Sequence, residues 1–120
     1  MSYQQLSMEK HLSDTQTSYI VAGAAMRIRE LKLVSTAAGA DNANNYAFVI
    51  SIGGTTIASR QNNVAGGAFV ADTVETLTLS NQDKLLVSAG DVIKCVATKT
   101  GTLTISARLD FVCELARDYS

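Results

Sequence analysis

The sequence predicts an all-β fold: an antiparallel two-sheet β-sandwich, a jelly roll of about eight strands, with an N-terminal arm ahead of it. Three observations carry this. From Leu103 to Leu115 every second residue is apolar (Leu103, Ile105, Ala107, Leu109, Phe111, Cys113, Leu115), whereas the positions between them are Thr102, Thr104, Ser106, Arg108, Asp110, Val112 and Glu114. A period of two places the first set on one face of a strand and the second on the other, which is the pattern of a half-buried antiparallel strand. Gly, Asn and Asp turn residues recur at intervals of about ten residues, and Pro is absent, so short strands follow one another with tight connections. No stretch sustains a long helical pattern. One strand with an apolar face is not stable alone, so the partners of this last one must come from the preceding residues.

Taken in order, Met1–Ser18 holds Tyr3, Leu6, Met8 and Leu12 as isolated apolar anchors among Gln, Ser, Glu, Lys, His and Asp. That composition predicts an arm, which either frays in water or becomes ordered on a partner. His11 has no second candidate ligand beside it and reads as a solvated side chain. The sandwich domain is then Tyr19–Ser120. Ile20 and Ala22 alternate, Met26 and Ile28 alternate, and Leu31 and Leu33 alternate in the opposite phase, so strands are expected on both sides of Gly23 with a β-bulge near Arg29 and Glu30. Arg27, Arg29 and Lys32 point outward as a small basic cluster, either a solvated face or a contact for an acidic protein surface.

Thr36 to Asn45 is a loop by composition, and its Asp41, Asn42, Asn44 and Asn45 do not match the spacing of a calcium loop. Tyr46, Phe48, Ile50 and Ile52 alternate into Gly53-Gly54, and Thr55, Ile57 and Ser59 leave it, which predicts a β-hairpin. Arg60 to Gly67 is a second loop, and Phe69 and Val70 begin a short apolar piece. Val74 to Ser80 carries Leu77 and Leu79; Asn81 to Lys84 turns; Leu85 and Val87 lead to the turn Ser88-Ala89-Gly90-Asp91. Val92 to Ala97 is a strand, and Lys99-Thr100-Gly101 turns the chain into the last one. Phe48, Phe69 and Phe111 all fall on strand phases and are assigned to the core.

Composition excludes several function classes. A chain of 120 residues is one domain, able to bury roughly two thirds of its unfolded surface. With a net charge of −1 and 18% charged residues there is no basic field for nucleic acid or an anionic membrane. No run approaches the length of a membrane span, and Met1 to Gln16 is too polar for a secretory signal, so synthesis in the cytoplasm is expected. Cys95 and Cys113 lack CxxC spacing and a neighbouring His, so no metal site and no cofactor are expected. They read as two reduced, small apolar residues, with a disulfide between neighbouring strands as the alternative. An enzyme is not expected: the single His lies in the arm, and Asp72, Glu75, Asp83, Asp91, Asp110 and Glu114 are scattered. A carbohydrate-binding module would use aromatic platforms, but Trp is absent and Tyr3, Tyr19, Tyr46 and Tyr119 are far apart.

The order of the glycine hairpin (Tyr46 to Ser59), Leu77-Thr78-Leu79-Ser80, Val87-Ser88-Ala89-Gly90-Asp91-Val92-Ile93, a Thr/Gly turn and a long alternating strand resembles the small β-sandwich domains of tailed-phage virions. Among these it is most similar to head decoration, or cement, proteins, over Tyr19 to Leu115. The resemblance implies a non-enzymatic protein of the virion that binds the outer surface of the capsid and bridges major capsid protein subunits. No catalytic residue is carried over, and Gly90 and Asp91 match the pattern as a turn. Under this implication the arm residues Tyr3, Leu6, Met8 and Leu12 are the expected capsid-binding set. A capsid repeats one site around local symmetry axes, so a homo-oligomer is expected, a trimer in preference to a dimer. A head-fibre, tail-fibre or baseplate interaction domain is the alternative.

Overall fold

The computed structural model describes residues 3–12, 15–36, 42–62, 66–102 and 105–115. Nine strands form in chain order: β1 Tyr3–Leu12, β2 Gln16–Val21, β3 Met26–Ser35, β4 Asn45–Ile52, β5 Thr55–Gln61, β6 Glu75–Leu77, β7 Leu86–Val87, β8 Val92–Thr100 and β9 Ile105–Leu115, with a short 3₁₀ turn at Gln82–Lys84. They make two antiparallel sheets, one ordered β1-β9-β3-β6 with β7 also on β3, the other β2-β8-β4-β5. The pairings nest: β4 with β5, β3 with β6, β2 with β8, and β1 with β9. A single long hairpin rolled on itself gives that nesting, and with the small β7 set aside the eight strands form a jelly-roll sandwich.

The core lies between the sheets, and the period of two fills it. Ile105, Ala107, Leu109, Phe111 and Cys113 of β9 face Tyr46, Phe48, Ile50, Ile93 and Cys95 of the other sheet, all buried. Phe69 is also buried, its ring 5.9 Å from that of Phe48, and the Arg60 guanidinium lies over it at 4.8 Å. Arg60 reaches Glu75 at 2.6 and 3.1 Å, so one side chain ties β5 to β6 across the two sheets. The bulge falls as expected, with the β3–β9 register shifting between Ile28 and Glu30. The glycine hairpin forms with φ of 57° and 82° at Gly53 and Gly54, the positive values that suit glycine in a tight turn. Cys95 and Cys113 are free, buried thiols on opposite sheets, and burial pushes the Cys113 thiol up to about 11.

One expectation is corrected. In place of the arm expected over Met1–Ser18, the described residues form strands: Tyr3–Leu12 runs the length of β9, from Tyr3 opposite Glu114 to Leu12 opposite Ile105, and β2 begins at Gln16. The physical reason is that Leu6 and Met8 share one strand phase and complete the apolar surface that β9 leaves open on that side. Met8 is 5% exposed, and Leu6 packs against the core. Of the expected basic cluster, Arg29 and Lys32 keep side chains 45% and 42% exposed, in keeping with a solvated face. Arg29 pairs with the buried Glu114 at 2.9 Å, and Lys32 lies 3.5 Å from Glu30.

Candidate docking surface

The jelly roll turns one sheet outward on each side, and the two outer faces differ in chemistry. Every acidic residue that falls in a strand falls in the five-stranded sheet: Glu9, Glu30, Glu75, Asp110 and Glu114. Several of its charges pair within the sheet: Arg29 with Glu114, Lys32 with Glu30 and Arg108 with Asp110. Ser7 Oγ donates to Asp110 Oδ1 at 2.6 Å, and Arg108 Nε donates to both Asp110 oxygens at 2.9 and 3.0 Å. Burial alone would raise the Asp110 carboxyl, but the hydrogen bonds from Ser7 and Arg108 and the Arg108 charge outweigh it and hold the group below its ordinary value.

The four-stranded sheet carries the opposite pattern. No acidic residue occurs in β2, β4, β5 or β8, and Lys94 is the one charged side chain on their outward phase. Cross-strand register gathers apolar side chains there. Val21 sits opposite Val92; Thr17, Val96 and Val49 form one row; Tyr19, Lys94 and Ser51 form the adjacent row. Tyr19 is 63% exposed, Val21 61%, Val92 41% and Val49 39%, so these contacts leave about half of the apolar area in water. The remaining outward positions are Ser, Thr, Ala and Gln. Valine and tyrosine favour the strand conformation locally, and the area they leave exposed would gain ~25 cal/mol per Å² if another surface covered it.

At one end the patch runs into a cleft of about 490 Å³ lined by Ile52, Gly53, Asp83, Lys84, Leu86, Gly90, Asp91 and Val92. Leu86, 48% exposed, extends the apolar surface past Val92. The turn behind the cleft is firm. Asp91 accepts from the Ser88 amide at 2.9 Å, and Ala22 and the turn exchange backbone bonds at 2.8 Å. The loop side chains Asn44 and Asn45, considered above for calcium, bind the protein itself: Asn44 Oδ1 accepts from the Thr102 amide at 2.9 Å, and Asn45 Nδ2 donates to the Asn42 carbonyl at 3.3 Å. Asp41 lies outside the described residues.

Of the residues first assigned to capsid binding, Met8 is in the core and Leu6 packs on it, while Tyr3 and Leu12 occupy the two ends of β1. The face of the four-stranded sheet was missed. A signal for it exists, because Val92, Ile93, Cys95, Val96 and Ala97 put apolar residues on both phases of β8. A strand apolar on both faces is either covered on both or presents one to a partner.

No family model matches the chain, and no curated protein matches it. Among solved structures, the chain is similar at 13% identity and a TM-score of 0.40 to a protein solved as the structure of infectious bursal disease virus Gx strain; the match covers 94% of this chain and 32% of that one.

Proposed function

We propose that this protein is a non-enzymatic structural component of a phage virion, binding the outer surface of the capsid and stabilising it by bridging major capsid protein subunits. The observation that supports it is the outward face of β2, β8, β4 and β5, a neutral surface with an exposed apolar cluster and one charge, on a jelly roll whose other sheet carries ion pairs of its own. The docking role passes from the β1 residues to this face, because the apolar side chains of β1 that are described belong to the core.

The size of the face fits weak, repeated binding. Four strands spaced ~4.8 Å apart, each roughly 20–30 Å long, make a footprint of about 400–550 Å². A stable stand-alone interface takes about 800 Å² from each partner. A site of this size becomes strong when several copies engage together, which a capsid with local symmetry axes and a homo-oligomeric protein, a trimer in this reading, provide. Since the contacts are mainly neutral, binding should survive moderate salt, unlike phosphate or lipid binding. Bridging stabilises by mass action, because a protein that binds the intact shell and not the opened one raises the free energy of opening.

The test is co-sedimentation of purified protein with expanded, undecorated heads of the virus that encodes it. Saturable binding at a fixed number of copies per head is the expected result. Absence from the head pellet, with binding to fibres or baseplates instead, would replace the capsid reading by attachment to another part of the virion.

A further inference from the structure

We propose that the outward face of the four-stranded sheet docks a different protein, one whose surface offers an apolar patch with a carboxylate placed to meet Lys94, and that it does not dock a second copy of this chain. The inference rests on the capsid reading and adds the chemistry of the partner.

Charge decides between the two occupants. Lys94 stands in the middle row of the patch, between Tyr19 on β2 and Ser51 on β4. Covering the patch takes water from its ammonium, and a buried charge without a partner is strongly unfavourable. Among the described residues no ion pair includes Lys94, so its counter-charge has to come from the partner. A second copy docked strand face to strand face does not supply it, because β2, β4, β5 and β8 contain no Asp or Glu and the carboxylate of Asp91, at the end of the patch, is engaged by the Ser88 amide. Two copies face to face would instead enclose two lysines in one apolar interface, and the footprint is below what a stable dimer needs. A partner carboxylate opposite Lys94 removes the penalty and fixes the register of docking, while the valines and Tyr19 supply the burial. Tyr19 is suited to this position, since its ring is apolar and its hydroxyl can donate to the same carboxylate.

The test uses expanded, undecorated heads and four proteins: wild type, Lys94→Glu, Tyr19→Ser, and Lys32→Glu on the other sheet as a control. Wild type, Lys94→Glu and Tyr19→Ser should melt close together, and Lys32→Glu about 2–4 °C lower while still folded, because it sets a second carboxylate beside Glu30 and opposite Asp110. Lys94→Glu should weaken head binding about a hundredfold, through repulsion of the partner carboxylate, and Tyr19→Ser about tenfold or more. Lys32→Glu should bind within about twofold of wild type. Acylation of lysines followed by mass spectrometry should show Lys94 protected on heads and reactive in the free protein. Wild-type binding that neither Lys94→Glu nor Tyr19→Ser weakens, with Lys94 still acylated on the head, would overturn the proposal and leave the capsid reading standing. Failure of wild type to bind heads would overturn both. A dimer in free solution that Tyr19→Ser dissociates would assign the face to a second copy and overturn the proposal as well.

Discussion

Replacing Met8 by Ala separates a strand from an arm. In an arm the side chain is in water and its loss is silent. In the structure Met8 is 5% exposed and sits opposite Leu109, beside Phe48, Cys95, Ala97 and Ala107, around a void of about 10 Å³. Truncating a buried Met costs about 2–5 kcal/mol, the transfer term plus the cavity left behind. β1 has a strand on one side, β9, and can settle inward, so the lower part of that range applies, about 2–3 kcal/mol. For a domain of this size the unfolding entropy is about 0.25 kcal/mol per degree, so Tm should fall by about 8–12 °C. Ser7→Ala, one residue away on the outer face, loses the bond to Asp110 and should lower Tm by about 2–4 °C. Thermal denaturation followed by far-UV circular dichroism reads both. A Met8→Ala protein melting within about 2 °C of wild type would refute the placement of β1 in the core.

Phe111, 0% exposed at the middle of β9, should cost about 3–5 kcal/mol on replacement by Ala, whereas Arg108→Ala on the other phase should cost less than about 1 kcal/mol; equal urea midpoints for the two would reverse the phase assigned to this strand. The Asp110 carboxyl is held below its ordinary 3.8, so its contribution is present above that value in the folded protein and is lost as pH falls through the lower folded value. The stability gap between wild type and Asp110→Asn, measured from neutral pH downward, should therefore close in acid; a gap that widens there would contradict the Ser7–Asp110–Arg108 arrangement.

Elements were legible in the sequence where period and turn chemistry agreed. The β4–β5 hairpin is written in Tyr46, Phe48, Ile50, Ile52 and Gly53-Gly54, the β3 bulge in the phase change between Ile28 and Leu31, and β9 in its six alternating apolar positions from Ile105 to Leu115. β1 was hidden because its inward phase is thin: Lys10 interrupts Leu6, Met8 and Leu12, and polar Gln and Ser fill the rest. Its strand conformation comes from β9, a long-range partner that composition cannot show. The docking surface was hidden for a related reason. Tyr19, Val21, Val49 and Val92 are separated in sequence, and register across β2, β8 and β4 is what makes them neighbours. The Arg29–Glu114 pair was out of reach for the same reason, since the two meet only after β3 and β9 pair.

Heating DNA-filled heads with and without the bound protein, and following DNA release, tests the proposed stabilisation of a capsid by bridging of its subunits. Heads at full occupancy should release their DNA at a higher temperature than bare heads. Coincident release curves at verified full occupancy would contradict the stabilising role.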